Sequence, residues 1–433
     1  MARYVESVEV IPPAWRLVTS LRDLGYDFVT AVADIVDNSI EAKATEIHID
    51  VEFDGEHSYV RIADNGTGMS SENLIEGMRF GTMRDYDPDA LGKFGLGLKT
   101  ASLSQCDKLT VVSRWNPKRA DMAAFSWDMD HIKETNKWAI IRIPADEIDI
   151  WTKNWLKKTP GTVVLWERLT RIISCNNPEG GGAHRNILSM CRDLELHLAM
   201  VFHRFLSGEN PGYKLKMFLN GNEIEPWDPF TKTEPKTVKM KPVRIPLEHE
   251  GIRGEVLLEP YILPPQEKFS SRDAWERASG PRKWNLQQGF YIYRQGRLIQ
   301  SGGWSRLRTP DEHTKYARLS LSFSPLLDEA FKINVVKMRA QLPTEIRDRL
   351  MREVEIVVRA ARDRYDKSSK QKSQTPSRTS VRGKDKTPKR PLTHEAGSWT
   401  LDEIQEKLLK TANSNERPII ERVFNRLRQS LKT

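Results

Sequence analysis

Three short blocks rich in Asp, Asn and Gly lie in order between residues 34 and 100, and they limit what this chain folds into more than any other feature. The first is Asp34-Ile35-Val36-Asp37-Asn38-Ser39. The second is Asp64-Asn65-Gly66-Thr67-Gly68-Met69. The third is Gly92-Lys93-Phe94-Gly95-Leu96-Gly97-Leu98-Lys99-Thr100. Each block alone is commonplace, so the weight rests on their order and spacing.

The first block falls on a helix expected over roughly residues 26 to 42, because Phe28, Val32, Ile35, Val36 and Ile40 recur at helical spacing. Asp34 and Asn38 are four apart, so they stand one turn above each other on one face. An amide oxygen beside a carboxylate suits Mg²⁺, which takes few protein ligands and fills its octahedron with phosphate oxygens and water. In that reading Asn38 is the metal ligand and Asp34 takes a proton from an attacking water. Taken alone, the pair reads equally as the wet side of an amphipathic helix.

The second block follows a short alternating strand, residues 59 to 63, and ends in a Gly-rich turn. Asp64 at the strand end suits an exocyclic amine such as that of adenine. Gly66 and Gly68 let backbone approach a flat ring, with Met69 beside them. The third block opens an apolar helical stretch, Leu98 to Leu103. Its run of backbone N–H groups (Gly92, Lys93, Gly95, Leu96, Gly97) is an anion cradle, and Lys99 adds a point charge on phosphates. The order G-x-x-G-x-G is neither a Walker loop nor the dinucleotide fingerprint. Residues 70 to 91 between the last two blocks are polar and glycine-punctuated, and are read as a lid over bound nucleotide.

D-x-x-x-N, then D-x-G-x-G, then G-x-x-G-x-G resembles the GHKL ATPases, a family that takes in gyrase B, the large heat-shock chaperones, sensor histidine kinases and MutL. The stretches AVADIVDNSIEAKATEI, ADNGTGM and FGLGLKTASL look most like MORC-type members. The family's fourth block, a Gly-Thr pair before a strand, is matched by Gly161-Thr162. The resemblance spans roughly residues 11 to 350. It implies an α+β chain: a two-layer Bergerat-type ATP-binding domain over residues 1–172, then an α+β transducer domain over 183–365. It also implies a lysine reaching from the transducer onto the γ-phosphate, with Lys337 the first choice and Lys332 the alternative. One departure stands out. Hydrolysing relatives usually carry Glu where this chain has Asp34, one methylene shorter. Asp37 is a weaker candidate base, since each residue step turns a helical side chain by about 100°.

The chain has 433 residues, room for two or three domains. With 38% hydrophobic and 29% charged residues, its composition is that of a globular protein. No apolar run approaches the ~20 residues of a membrane span, and the start is not a signal peptide. Three scattered cysteines, Cys106, Cys175 and Cys191, fit a reducing cytoplasm and form neither a disulfide frame nor a zinc site. The net charge of +9 is local: residues 367–390 hold nine Lys/Arg against one Asp, leaving +1 for the rest. Residues 366–396 are therefore expected to be a disordered basic linker able to contact DNA phosphates without reading sequence.

Residues 1–25 hold a helix opened by Pro12-Pro13 and closed by Gly25, which either straps across a dimer partner or packs on its own domain. Strands are expected at 46–51, 109–113 and 138–143. A helix follows at 186–205, then hairpins at Asn220-Gly221 and Gln295-Gly296, and a long helix at 343–365. Residues 397–433 carry two short helices, one opened by the capping box Thr400-Leu401-Asp402-Glu403. They are too small a core to stand alone and suit packing on a protein partner, on a second copy or on the ATPase body. The reading that unites these features is an ATP-gated, Mg²⁺-dependent homodimeric clamp acting on DNA or in defence against foreign DNA. The rival is an ATP-binding scaffold that hardly hydrolyses. A sensor kinase lacks its phosphoacceptor His before Asp34, and a MutL-like nuclease lacks its metal cluster.

Overall fold

The computed structural model describes residues 10–23, 26–81, 97–116, 118, 121–172, 181–209, 212–333 and 340–373, with Gln405 and Phe424 beyond them. Those up to 373 belong to one compact unit, Met1–Thr375; Gln405 and Phe424 belong to a second, Pro376–Thr433. Gly25, Gly92, Lys93, Gly95, Leu96, Lys337, Cys175, residues 374–390 of the basic tract and the C-terminal helices lie outside the described residues, Gln405 and Phe424 excepted.

The first unit is α+β, with two sheets. It opens with α1 (Ala14–Arg22) and α2 (Phe28–Glu41). Asp27 caps α2 by accepting from the Thr30 N–H, and Phe28, Ala31, Val32, Ile35, Val36 and Ile40 form its buried face. There follow β1 (Glu46–Glu52), β2 (Tyr59–Asp64), α3 (Ser71–Met78), α4 (Gly97–Leu103), β3 (Lys108–Arg114), β4 (Ala123–Asp128), α5 (Met129–Thr135), β5 (Ile141–Arg142), α6 (Ile150–Lys158) and β6 (Gly161–Glu167). The chain continues through α7 (Gly181–Val201), α8 (His203–Leu206), β7 (Lys216–Leu219) and β8 (Asn222–Glu223).

These strands make an eight-stranded sheet ordered β5-β4-β3-β6-β2-β1-β7-β8, antiparallel except for β1 against β7. Its core holds Val32, Ile35, Val36, Ile47, Ile49, Ile62, Leu109, Val111 and Trp166, and extends through Leu194, Leu198, Phe202 and Met217 to Ile224. So α7 and the β7–β8 hairpin, expected in the second domain over 183–365, share the first core. Trp227 packs against both this core and the next, which begins at Phe230.

The second sheet uses β9 (Val238–Lys239), β10 (Val243–His249), β11 (Ile252–Ile262), β12 (Gly289–Arg294), β13 (Arg297–Ser301) and β14 (Ala317–Phe323), ordered β10-β11-β14-β12-β13 with β9 on β11. Two short helices, α9 (Arg272–Ala278) and α10 (Lys283–Gln287), precede β12, and α11 (Thr344–Ser373) closes the unit. Gln295 and Gly296, at φ +52° and +81°, give β12–β13 the tight turn expected there.

Three expectations change. The strand at 138–143 shrinks to Ile141–Arg142, because Asn136 turns left-handed at φ +49° and Trp138 donates its indole N–H to the Pro12 carbonyl. The lid segment is helical over Ser71–Met78, capped by Ser70 accepting from the Asn73 N–H. The terminal helix overruns residue 365 and takes in the first seven residues of the basic tract. Contacts of Arg362 with Asp311 (2.6 Å), Arg364 with the Ile262 carbonyl (3.3 Å) and Ser368 with Glu267 hold that extension down. Among the described residues no helix is long and apolar enough to cross a membrane, and no group of three acidic, His or Cys side chains is placed to hold a metal.

Candidate functional site

The first sheet brings the second and fourth sequence blocks together. β2 ends at Asp64 and β6 begins at Gly161-Thr162. Pairing puts Asp64 opposite Thr162, and Thr162 opposite Ser113 on β3. Asp64 is buried at 6% exposure. Its Oδ1 accepts from the backbone N–H groups of Gly66 (2.9 Å) and Thr162 (3.3 Å), and its Oδ2 from the Ser39 hydroxyl (3.0 Å). Burial pushes the carboxyl up to about 6, against the pull of those three hydrogen bonds. A buried carboxylate at a strand end, flanked by glycine backbone, is an acceptor suited to an amine on a flat ring.

The turn after Asp64 is built to close approach. Gly68 has φ +66°, and a Cβ there would lie 2.1 Å from the Arg114 carbonyl oxygen. A Cβ on Gly66 would lie 2.7 Å from the Ala42 carbonyl oxygen. Asn65 fastens the turn by accepting from the N–H groups of Thr45 (2.8 Å) and Glu46 (2.9 Å). Met69 donates its N–H to Ser113 Oγ (2.8 Å), and Ser113 also meets Thr162 Oγ1 at 2.9 Å. A cavity of about 440 Å³ beside Met69 and Ser113 is lined by Trp115, Met122, Phe125 and Ile143.

The first block lies on α2, as expected. Asp34 is 3% exposed and Asn38 is exposed one turn on. Asp34 Oδ2 accepts from the Tyr26 hydroxyl at 2.8 Å, and its Oδ1 is 3.9 Å from an Arg297 terminal nitrogen. Gly97, where α4 starts, brings the two elements close: a Cβ there would sit 3.4 Å from Asp34 Oδ2. Asp37, the weaker candidate base, has no exposure and pairs with Arg297 Nε at 2.7 Å. It is thus a structural anion.

Lys99 is 2% exposed, not a surface cation. Its Nζ donates to the Gly77 carbonyl at 3.0 Å, tying α4 to the lid helix α3, and burial pulls its amine down to about 8. Lys332, the alternative to Lys337, is exposed in a turn with φ +48°.

Three residues of the site escaped the sequence reading. Ser113 lies at the end of an expected strand, but nothing local marks it as the neighbour of Thr162. Tyr26 reads only as the start of a helix. Arg297 reads as one residue of a hairpin, 260 positions from Asp37.

Residues 26–162 match the model of the histidine kinase-, DNA gyrase B-, and HSP90-like ATPases. Among similar proteins, the DNA mismatch repair protein MutL of Pseudoalteromonas translucida is 30% identical over 129 residues, 29% of this chain and 21% of that one. The MutL of Actinobacillus succinogenes is 32% identical over 112 residues, 25% of this chain and 17% of its own. ATPase morc-1 of Caenorhabditis elegans is 28% identical over 86 residues, 20% of this chain and 10% of its own. The chain therefore spans about a fifth or less of the length of the curated relatives it matches. With Asp34, Asn38, Asp64, Gly66, Gly68 and Thr162 in place within them, residues 26–162 are similar to the GHKL ATPases, MutL and MORC members among them.

Proposed function

We propose that this chain is a Mg²⁺-dependent ATPase that works as a homodimeric clamp of the MORC and MutL kind on DNA, with defence against foreign DNA as one setting. The observation that carries the reading is Asp34: a buried carboxylate on α2, one turn from an exposed Asn38, within the domain that matches the ATPase family.

The residues present fit the ligands. Asp64 is a buried acceptor for the adenine amine, with Met69 beside the ring and the Gly66 and Gly68 backbone close by. Asn38 offers the amide oxygen for Mg²⁺, which when bound neutralises phosphate charge. Gly92, Lys93, Gly95, Leu96 and Gly97 supply backbone N–H groups to the phosphates, with Lys99 and Lys337 as point charges. Asp34 takes a proton from a water as the water's oxygen bonds to the γ-phosphorus. The bond from that phosphorus to the β,γ-bridging oxygen breaks, and ADP leaves with its electron pair.

One observation favours the rival, an ATP-held scaffold with little turnover. Asp34 is shorter than Glu, and its Oδ2 already accepts from Tyr26. The deciding experiment is steady-state ATP turnover by the purified chain, with and without DNA, beside Asp34→Ala and Asn38→Ala. Turnover lost in Asp34→Ala with ATP binding kept supports the enzyme. No turnover in the unmodified chain with tight ATP binding supports the scaffold. Unchanged ATP affinity in Asn38→Ala removes Asn38 from the metal site.

A further inference from the structure

The second sheet reaches the first sheet's site through an arginine side chain. Arg297 opens β13 directly after the tight Gln295-Gly296 turn and is 3% exposed. Its Nε donates to Asp37 Oδ1 at 2.7 Å, and a terminal nitrogen lies 3.9 Å from Asp34 Oδ1. The guanidinium also stands 5.8 Å from the centre of the Phe202 ring. Asp34 thus accepts a hydrogen bond from Tyr26 on one oxygen and has the Arg297 charge within ion-pair range of the other. Tyr26 belongs to the same domain as Asp34. Arg297 belongs to a sheet with a core of its own.

The lever behind Arg297 is stiff. β13 pairs with β12, β12 with β14, and α11 packs under that sheet through Ile346, Leu350, Val354 and Val357. Asp37 fixes the Nε side of the guanidinium on α2, so a shift of the second sheet changes how its terminal nitrogen meets Asp34. A lysine, with one compact ammonium, keeps the charge near Asp34 but not the fork that bridges the two carboxylates.

We propose that Arg297 is a positioning residue of the ATPase site, anchored on Asp37 and setting the charge and orientation of Asp34, so that the second sheet governs the competence of the base. The inference rests on the reading of Asp34 as general base. Tyr26 is pushed far above the usual phenol range by burial and by Asp34, and stays a neutral donor. His197 on α7, which feels Arg297, Asp27 and Asp37, is pulled down to about 4 by burial and stays neutral. Lys99 on α4 titrates near 8 and bears on the alkaline side alone.

The test compares Arg297→Gln and Arg297→Lys with the unmodified full-length chain, reading ATP affinity, kcat and its pH profile. If Arg297→Gln does not fold, the double variant Arg297→Gln/Asp37→Asn replaces the ion pair by a neutral one, and kcat against affinity is read there. The expected result is ATP affinity within about three-fold and kcat down at least about ten-fold, as for a misplaced base. In Arg297→Gln the acidic limb of the profile moves up by about one pH unit, because a cation no longer favours the ionised carboxylate. Arg297→Lys restores the position of that limb and part of kcat. Unchanged kcat overturns the proposal, as does a fall in kcat with no shift of the limb and no rescue by lysine. Asp34→Asn separates the two readings: if it still turns over, the base assignment fails whatever Arg297 does. If it is dead while the Arg297 variants are normal, only the Arg297 inference fails.

Discussion

Arg297 Nε donates to Asp37 Oδ1 across 2.7 Å with neither side chain open to solvent, so a buried ion pair ties the second sheet to the helix that carries Asp34. Truncating one partner of such a pair costs about 3–5 kcal/mol, because the other charge stays buried and uncompensated. The contact is therefore a fixed joint between the second sheet and the helix that carries Asp34. That gives physical content to ATP gating: a nucleotide that favours one position of α2 acts on the second sheet without touching it.

Lys99 supplies a test of where binding energy is stored. Its amine has a folded value of about 8 against an ordinary 10.5, so the folded chain disfavours the charged form. The stability penalty is absent above the ordinary value and complete once pH falls below about 8. Lys99→Met should gain melting temperature relative to the unmodified chain at pH 7, and that gain should shrink toward pH 10. ATP affinity should fall at the same time, since the charge held there in readiness is lost. A pH-independent melting difference with unchanged affinity would remove Lys99 from the phosphate site.

Asp64 gives a pH signature of its own. Its folded value of about 6 lies above the ordinary 3.8, so on acidification the folded chain takes this proton early. In the proposed site the ionised carboxylate is the acceptor for the adenine amine. ATP affinity should therefore decline as pH drops through 6. Asp64→Asn should bind about ten-fold or more weakly at pH 7, consistent with a lost charge-assisted hydrogen bond, and show no decline between pH 7 and 5. Calorimetric titration at three pH values decides it. A flat profile in the unmodified chain would take Asp64 out of contact with the base.

Much of this site was legible because its parts are local. Asp34 and Asn38 share a helix face fixed by the 3.6-residue period, and Asp64, Gly66 and Gly68 share one turn. What was not legible depends on pairing between distant strands. Ser113 gains its role only when β6 lies between β2 and β3, and Arg297 only when the second sheet docks on α2. The overrun of α11 past residue 365 has the same cause. Composition argued for a solvated linker, and tertiary contacts to Asp311, Ile262 and Glu267 overrode it for seven residues. Lys99 was read by its charge, but its burial is decided by α3, which covers it.

Gly68 tests the turn apart from the chemistry. At φ +66° with the Arg114 carbonyl 2.1 Å from any added Cβ, alanine can be accommodated only by moving backbone. Gly68→Ala should destabilise by about 2 kcal/mol or more and weaken ATP binding through displacement of Met69. Denaturant unfolding with ATP-binding measurements checks both. Loss of less than about 0.5 kcal/mol would mean that the turn is free to relax.

The basic tract makes the DNA proposal measurable. Its first seven residues continue α11, so the segment to remove is 374–390, which carries six Lys/Arg and one Asp. Each phosphate neutralised contributes about 0.9 to the slope of log affinity against log salt on duplex DNA. If the segment lies along the backbone, the deletion should flatten that slope by up to about five, with little change in the preference among sequences. Fluorescence anisotropy on a random-sequence duplex between 50 and 200 mM salt spans the range where this is largest. An unchanged slope would move the DNA contact onto the folded unit, and the clamp would then hold DNA by enclosure and not by its tail.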